Sequence, residues 1–94
     1  MINAAIYLKE RGVKVMNEDI LPLNRIPVGG VGTVRAVTAA GTMRGRFFDI
    51  GLIEDTRVEC LQKSPSGDPA AYLIRGAVIA LRNEDSSKIL VEPA

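Results

Sequence analysis

Strand-like segments and turn residues alternate over residues 56–82, TRVECLQKSPSGDPAAYLIRGAVIALR. Three segments of strand-like composition lie within this stretch: 56–63, 71–75 and 77–82. In the first of them, Val58 and Cys60 alternate with polar side chains, which is the pattern of a half-buried strand. The run SPSGDP at 64–69 and the single Gly76 separate the segments, because proline, glycine and aspartate favour turns. This arrangement predicts antiparallel strands, with a tight hairpin at Gly76.

The segments on either side extend the same pattern. Residues 31–38 are rich in β-branched side chains, and 88–92 is a last short apolar segment. Gly32 suggests a bend or bulge in the first of these strands. Asn83 is expected to begin a helical turn over about 83–87. Together with one short α-helix over about 42–51, these segments predict a mainly β fold, a small antiparallel barrel of about five strands.

Residues 42–52, TMRGRFFDIGL, form the predicted helix and its end. Its expected apolar face consists of residues at helical spacing: Met43, Phe47 and Ile50. Thr42 is the expected N-cap. Gly51 suits the C′ position, where the backbone turns left-handed and lets Leu52 contact Phe47. Arg44 and Asp49 are expected to point away from the apolar face.

The chain of 94 residues has room for one domain. We expect the domain over 20–94 and interpret 1–19 as an N-terminal extension. This extension is interpreted either as a short helix over 2–11 or as a disordered segment, and Met16 is an alternative translation start. No stretch reaches the 18 to 20 or so apolar residues that a membrane-spanning helix needs. No signal peptide is recognisable, and the lone Cys60 suits a reducing compartment, so we expect a cytosolic protein.

Composition narrows the classes of function. Twelve basic and eleven acidic residues give a net charge of +1, whereas nucleic-acid binders usually carry a marked basic excess. The chain has no histidine, which removes the usual general base near neutral pH. Cys60 lies in a strand pattern without a histidine partner, so we expect a small core side chain and no nucleophile. We therefore expect that the protein is not an enzyme.

Several motifs then occur in a specific order. They are Leu21-Pro22-Leu23, Pro27-Val28-Gly29, RGRFFDIGL at 44–52, the loop 64–69, Ile74-Arg75-Gly76 and Ile79-Ala80-Leu81-Arg82. In this order and spacing they resemble the FeoA family, ferrous iron transport protein A, over roughly residues 21–92. One departure is Glu54-Asp55, where the family often has Pro-Gly. Aspartate tolerates a left-handed backbone better than most residues, so we expect the turn to survive.

The resemblance implies an SH3-like barrel that acts as a cytosolic accessory of the membrane ferrous iron transporter FeoB. The same barrel occurs in iron-dependent repressors as a C-terminal domain. A metal-binding or iron-sensing domain of that kind is therefore the alternative function. A nucleic-acid-binding small barrel is the third, with arginines that could gather on one side: Arg25, Arg35, Arg44, Arg46 and Arg57.

Metal binding has little support in the residues themselves. Transition metals favour imidazole, thiolate and carboxylate ligands, and the chain offers one thiol and its carboxylates. Asp49, Glu54 and Asp55 are the candidates for a weak oxygen site for ferrous or another divalent ion. Because charges near a helix end are usually solvated, we expect no cofactor and assign no metal ligand.

Protein docking is the function that remains. The candidate partner-binding residues lie on the helix and in the 64–69 loop: Arg44, Arg46, Asp49, Leu52, Gly67, Asp68 and Pro69. The competing interpretation is that Gly51, Gly67 and Pro69 are simply the turn residues that a barrel needs. We expect a monomer, although an exposed edge strand could pair with a second copy.

Overall fold

The computed structural model describes residues 19–94. Within this range six strands are formed: β1 (Leu21–Pro22), β2 (Val31–Val37), β3 (Arg57–Lys63), β4 (Ala70–Ile74), β5 (Ala77–Leu81) and β6 (Ile89–Pro93). Two α-helices and one 3-10 turn accompany them: α1 (Gly41–Asp49), α2 (Asn83–Ser86) and Leu23–Arg25. The predicted mainly β fold is confirmed, and each element predicted within residues 19–94 is present with its ends shifted by a residue or two. The predicted helix over 2–11 lies outside the described residues.

The strands form one antiparallel sheet in the order β1-β6-β2-β3-β4-β5. The sheet has one strand more than predicted, because β1 is only two residues long and pairs Leu21 with Val91 and Pro22 with Leu90. So short a strand has no alternating pattern of its own. It exists because β6 offers it hydrogen bonds across the fold. Within residues 19–94, no helix is long and apolar enough to cross a membrane.

Two strands contain a β-bulge. In β2 the register shifts between Val34 and Ala36, so the irregularity lies at Arg35 and not at Gly32 as predicted. Gly32 has a packing role instead, because a Cβ there would come within 3.0 Å of the Val91 side chain. In β3 the shift lies between Cys60 and Gln62. The residue between them has no partner on β4, so the side chains that follow it point to the opposite face from the one that regular alternation would give them.

The core is mainly aliphatic and includes residues from the strands and from α1. Its buried members include one aromatic from α1 and one from β4: Leu23, Ile26, Val34, Ala39, Phe47, Leu52, Val58, Cys60, Ala70, Tyr72, Ile74, Leu81, Ile89 and Val91. The predicted burial of Val58, Cys60 and Phe47 is confirmed. Tyr72, which belongs to a strand of alternating burial, is itself fully buried.

The hairpin between β4 and β5 has the two-residue turn that Gly76 predicts. Arg75 and Gly76 have φ angles of 50° and 85°. Two consecutive positive φ values are typical of a type I′ turn, whose twist matches that of the paired strands. Ile74 and Ala77 close the hairpin.

Helix α1 ends as predicted and begins differently. Gly51 has a φ of 96°. Its N–H donates to the Phe48 carbonyl at 3.0 Å, and the Leu52 N–H donates to the Phe47 carbonyl at 2.9 Å. These two bonds define the Schellman motif. The N-cap is Ala40, which makes no side-chain bond, so the prediction of Thr42 as N-cap was wrong.

Candidate functional site

The exposed side of α1 carries an arginine held against an aromatic ring. The Arg44 guanidinium donates from Nη1 to the Val37 carbonyl at 2.9 Å. The same guanidinium lies 4.8 Å from the centre of the Phe48 ring. Phe48 is 42% exposed, so the ring is available to another molecule. A cation over an aromatic face within about 6 Å is attracted to it, and both side chains are therefore held at the surface.

Phe48 was not among the predicted site residues. Met43, Phe47 and Ile50 mark the side of α1 that packs on the core, and Phe48 follows Phe47 by one residue. One residue is about 100° around a helix of 3.6 residues per turn. Because Phe47 faces the core, the residue after it points about 100° away from the core. Phe48 could therefore have been predicted at the surface from its position in the helix alone.

The other predicted residues of α1 divide into two groups. Arg46 and Asp49 are exposed and form no ion pair with any residue between 19 and 94. Leu52 is 0% exposed, because the Schellman motif directs its side chain onto Phe47 and the core. The expectation that Leu52 lies at the surface was therefore wrong. Ile53, the next residue, is 40% exposed and adds apolar surface beyond the helix end.

The loop between β3 and β4 holds the remaining predicted residues, Gly67, Asp68 and Pro69. Its backbone closes through bonds from Gly67 N–H to the Ser64 carbonyl and from Ser64 N–H to the Pro69 carbonyl. The Asp68 carboxylate accepts the N–H of Asn83 at 3.0 Å, and Asn83 is the first residue of α2. Asp68 therefore caps α2 from a distant part of the chain, a structural role that favours the turn interpretation of this loop.

The structure does not bring α1 and this loop together. The segment after α1 leads into the first residue of β3, and the loop begins after its last residue, Lys63. β3 has seven residues, and at 3.3 Å of rise per residue its ends lie roughly 20 Å apart. The two predicted halves of the docking surface thus lie at opposite ends of the sheet.

At the α1 end, Arg75 joins the helix to the β4–β5 hairpin. Its Nη2 donates to the Thr56 hydroxyl at 3.2 Å, and its Nε lies 3.4 Å from the Gly51 carbonyl. A Cβ at position 51 would come within 2.6 Å of the Arg75 side chain. The helix end is therefore fixed both by its own cap and by the hairpin.

Asp55 lies in the turn after α1, where Glu54-Asp55 replaces the Pro-Gly pair that is common in the family the sequence resembles. Its φ is 75°, so the predicted left-handed conformation is confirmed. Arg35 donates from Nη1 to the Asp55 carboxylate at 2.7 Å and from Nε to the Glu92 carboxylate at 2.9 Å. The two carboxylates raise the pKa of Arg35, with the hydrogen bond to Glu92 as the largest cause. The bulge at Arg35 thus connects β2 with the turn and with β6.

The described residues contain no group of three or more histidine, cysteine, aspartate or glutamate side chains that could hold a metal ion. Asp49, Glu54 and Asp55 therefore do not form the oxygen site considered from the sequence. Cys60 is fully buried in the core, and burial raises the pKa of its thiol. A buried neutral thiol is neither a nucleophile nor an available ligand, so Cys60 adds no donor to the carboxylates of residues 19–94.

Tyr72 is the other buried ionisable group. Burial raises the pKa of its hydroxyl, and the nearby Ser86 hydroxyl offsets part of this effect. The Ser86 hydroxyl donates to the Arg82 carbonyl. No group in the described part of the chain lies in hydrogen-bonding geometry with the Tyr72 hydroxyl. We assign this group to the core.

Comparisons with known proteins place this geometry in a family. The FeoA domain model matches residues 21–93. The FeoA-like protein from Clostridium acetobutylicum is 28% identical with a TM-score of 0.73, covering 80% of this chain and 87% of that one. No curated protein gives a significant match.

Two more distant structures share the fold. FeoA from Stenotrophomonas maltophilia, complexed with zinc and described as an SH3 domain protein, is 20% identical with a TM-score of 0.69, covering 77% of this chain and 89% of that one. A manganese-dependent transcriptional repressor is 23% identical with a TM-score of 0.74, covering 88% of this chain and 46% of the repressor. At these identities the likeness concerns the fold alone, which is SH3-like. Since the family model spans nearly the whole described sheet, the chain belongs to the FeoA family, which is linked to ferrous iron transport.

Proposed function

We propose that this protein is a cytosolic accessory of ferrous iron uptake that docks on the cytosolic region of the membrane transporter FeoB, without chemistry of its own. Family membership supplies the link to iron transport. The Stenotrophomonas maltophilia relative is described as a candidate activating factor of bacterial ferrous iron transport. An accessory that acts on a transporter needs a surface for recognising it. It needs no active site.

The observation that carries the proposal is the exposed Phe48 ring with Arg44 fixed over it. Aromatic and arginine side chains are enriched at positions that dominate binding energy in protein interfaces. Arg44 is already held by the Val37 carbonyl, so little side-chain entropy is lost when a partner binds it. We place the docking surface on α1 for this reason, with Arg46 and Asp49 at its edge.

The loop with Gly67, Asp68 and Pro69 is left out of the proposed surface. Its carboxylate already caps α2, and it lies at the opposite end of β3. One partner segment that contacts α1 would have to span roughly 20 Å to reach it. A docking surface on α1 alone is the simpler arrangement.

Binding of the isolated cytosolic GTPase domain of FeoB tests the proposal. We expect Phe48→Ala to raise the dissociation constant by about tenfold or more, the effect of removing an interface anchor. The double variant Arg44→Glu and Arg46→Glu should weaken binding similarly, because it reverses both positive charges on the surface. Isothermal titration calorimetry at fixed salt measures both effects.

Val28→Ala is the matched control. Val28 is 57% exposed and precedes β2, away from α1, so its truncation should leave the dissociation constant unchanged. If the Phe48 and arginine variants bind the GTPase domain as tightly as the wild-type protein, α1 is not the docking surface. Absence of any binding by the wild-type protein would contradict docking on this domain.

A further inference from the structure

The two edges of the sheet differ in how they are protected. β1 forms one edge, is two residues long and contains Pro22. Short edge strands and proline are common devices against further strand pairing. β5 forms the other edge, has five residues and, among residues 19–94, pairs only with β4. It has no charged residue, no proline and no bulge.

β5 is apolar on both of its faces. Ala77, Val78 and Ala80 are exposed. Val78 is 66% exposed, more than any other large hydrophobic residue between 19 and 94. Val78 pairs with Leu73 and Ala80 with Ala71 on the outer side of the sheet. The exposed apolar surface therefore continues from β5 onto β4.

The backbone of β5 offers hydrogen bonds in the direction of this open edge. In the two-residue turn, Ile74 and Ala77 form the hydrogen-bonded pair that closes the hairpin. Ladder bonds alternate along an antiparallel pair, so Val78 and Ala80 direct their N–H and C=O groups away from β4. Within the described range, neither residue bonds the backbone of any element besides its own hairpin.

We propose that two copies of this chain pair through β5, antiparallel and around a two-fold axis at Ile79. Val78 of each copy then faces Ala80 of the other, and four new N–H···O=C bonds form across the axis. This is the one register in which all five residues of both strands overlap. A single surface paired with itself is the usual construction of a symmetric dimer. The six-stranded sheets of the two copies become continuous.

The charges that flank β5 suit the same register. Arg75 of one copy lies opposite Asn83 of the other, beside the first turn of α2 with Glu84 and Asp85. The Arg75 guanidinium donates to the Thr56 hydroxyl of its own copy and makes no ion pair in residues 19–94, so the register places its positive charge beside the acidic turn without a direct bond. Arg82 lies opposite Gly76, which has no side chain. In this register positive charge therefore lies beside negative charge, and no two like charges lie opposite each other.

The test is sedimentation of the full-length chain with two variants and a control. Wild-type protein should show a reversible dimer between about 10 μM and 1 mM, a range suited to an interface of small area. Val78→Lys introduces a charge into the apolar face. Ala80→Pro removes an N–H that is not bonded to β4, so the fold should survive. Each variant should raise the dimer dissociation constant by roughly tenfold or more.

Val28→Lys is the matched control, since Val28 is also exposed but lies before β2, three strands away from β5. It should leave the dissociation constant unchanged. Amide exchange of the wild-type protein should slow at Val78 and Ala80 as concentration rises.

Three results would overturn the pairing. The first is a chain that stays monomeric at about 1 mM with these amides unprotected. The second is a dimer that persists in both β5 variants. The third is a monomer whose amides at 78 and 80 are protected at every concentration, which would mean that another part of the same chain covers the strand. None of these outcomes bears on binding of FeoB through α1.

Discussion

Gly51 is under two independent constraints at the end of α1. Its φ of 96° lies in the left-handed region, where side chains other than glycine are strained. A Cβ there would also come within 2.6 Å of the Arg75 side chain, whose Nε approaches the Gly51 carbonyl. The residue therefore serves the helix cap and the contact with the hairpin together.

Gly51→Ala should lower the free energy of unfolding by about 1–3 kcal/mol, because it strains the backbone and displaces Arg75. Gly45→Ala is the matched control within the same helix. Apart from the adjacent residues and the helix's own backbone, no atom of residues 19–94 lies within 4 Å of a Cβ at position 45, so alanine should raise stability by up to about 1 kcal/mol. Urea unfolding of both variants measures the difference. Equal effects of the two substitutions would contradict the role assigned to Gly51.

Tyr72 and Cys60 are fully buried and uncharged groups of the core. Burial raises the pKa of both above its ordinary value. The protonated form is thus favoured more strongly in the folded state than in the unfolded one. The two groups stabilise the folded state fully at any pH below the pKa that each has in the unfolded chain, which is about 8.5 for cysteine and about 10 for tyrosine. This stabilisation is lost as pH rises through the raised folded-state values.

The free energy of unfolding should therefore fall as pH rises above about 8.5, and more steeply above about 10. Tyr72→Phe should remove the steeper part. At pH 7 the same variant should be neutral or slightly more stable, because the hydroxyl has no bonded partner between 19 and 94. Urea midpoints between pH 7 and 10.5 check both statements. A loss of more than about 1 kcal/mol at pH 7 would show that the hydroxyl is bonded.

At the scale of elements, the loop between β3 and β4 and the short helix α2 depend on each other. Asp68 accepts the N–H of Asn83 at 3.0 Å, and α2 makes no cap of its own, since Arg82 at its N-cap position has no side-chain bond. The loop therefore stabilises the turn that leads from β5 into β6. This structural role accounts for the aspartate without any partner.

Asp68→Ala should cost about 0.5–2 kcal/mol of stability, the usual range for a lost N-cap. Asp68→Asn retains an oxygen acceptor and should cost less. Neither variant should change binding of the FeoB GTPase domain, because the loop lies at the far end of β3 from α1. A docking defect in Asp68→Asn with unchanged stability would restore the loop to the partner surface.

Some features of the helices and strands could be predicted from the sequence and others could not. The Schellman end at Gly51 and Leu52 and the hairpin at Gly76 were predictable, because each follows from residues that are neighbours in the chain. The start of α1 was not, since Ala40 begins the helix without a side-chain cap. The position of the bulge in β2 could not be predicted either. It depends on how β2 pairs with β6, more than fifty residues away.

At the scale of the whole molecule, the fold class could be predicted and the arrangement of the site could not. Alternation and turn residues predict the antiparallel strands, yet they do not say which loops share an end of the sheet. Arg44 and the Asp68 loop were expected to act together, and β3 separates them. The exposure of Phe48 depends on which side of α1 meets the sheet. Each of these facts belongs to the tertiary fold.

We propose that this domain recognises a protein through α1 and does so without a metal ion. The most direct measurement is an NMR titration of labelled full-length protein with ferrous ion in the absence of oxygen, and separately with the cytosolic GTPase domain of FeoB. We predict shifts at Arg44, Phe48 and Ile53 with the GTPase domain, and none with iron. Saturable shifts or broadening between Asp49 and Glu59 with iron alone would contradict the claim and make the protein an iron sensor.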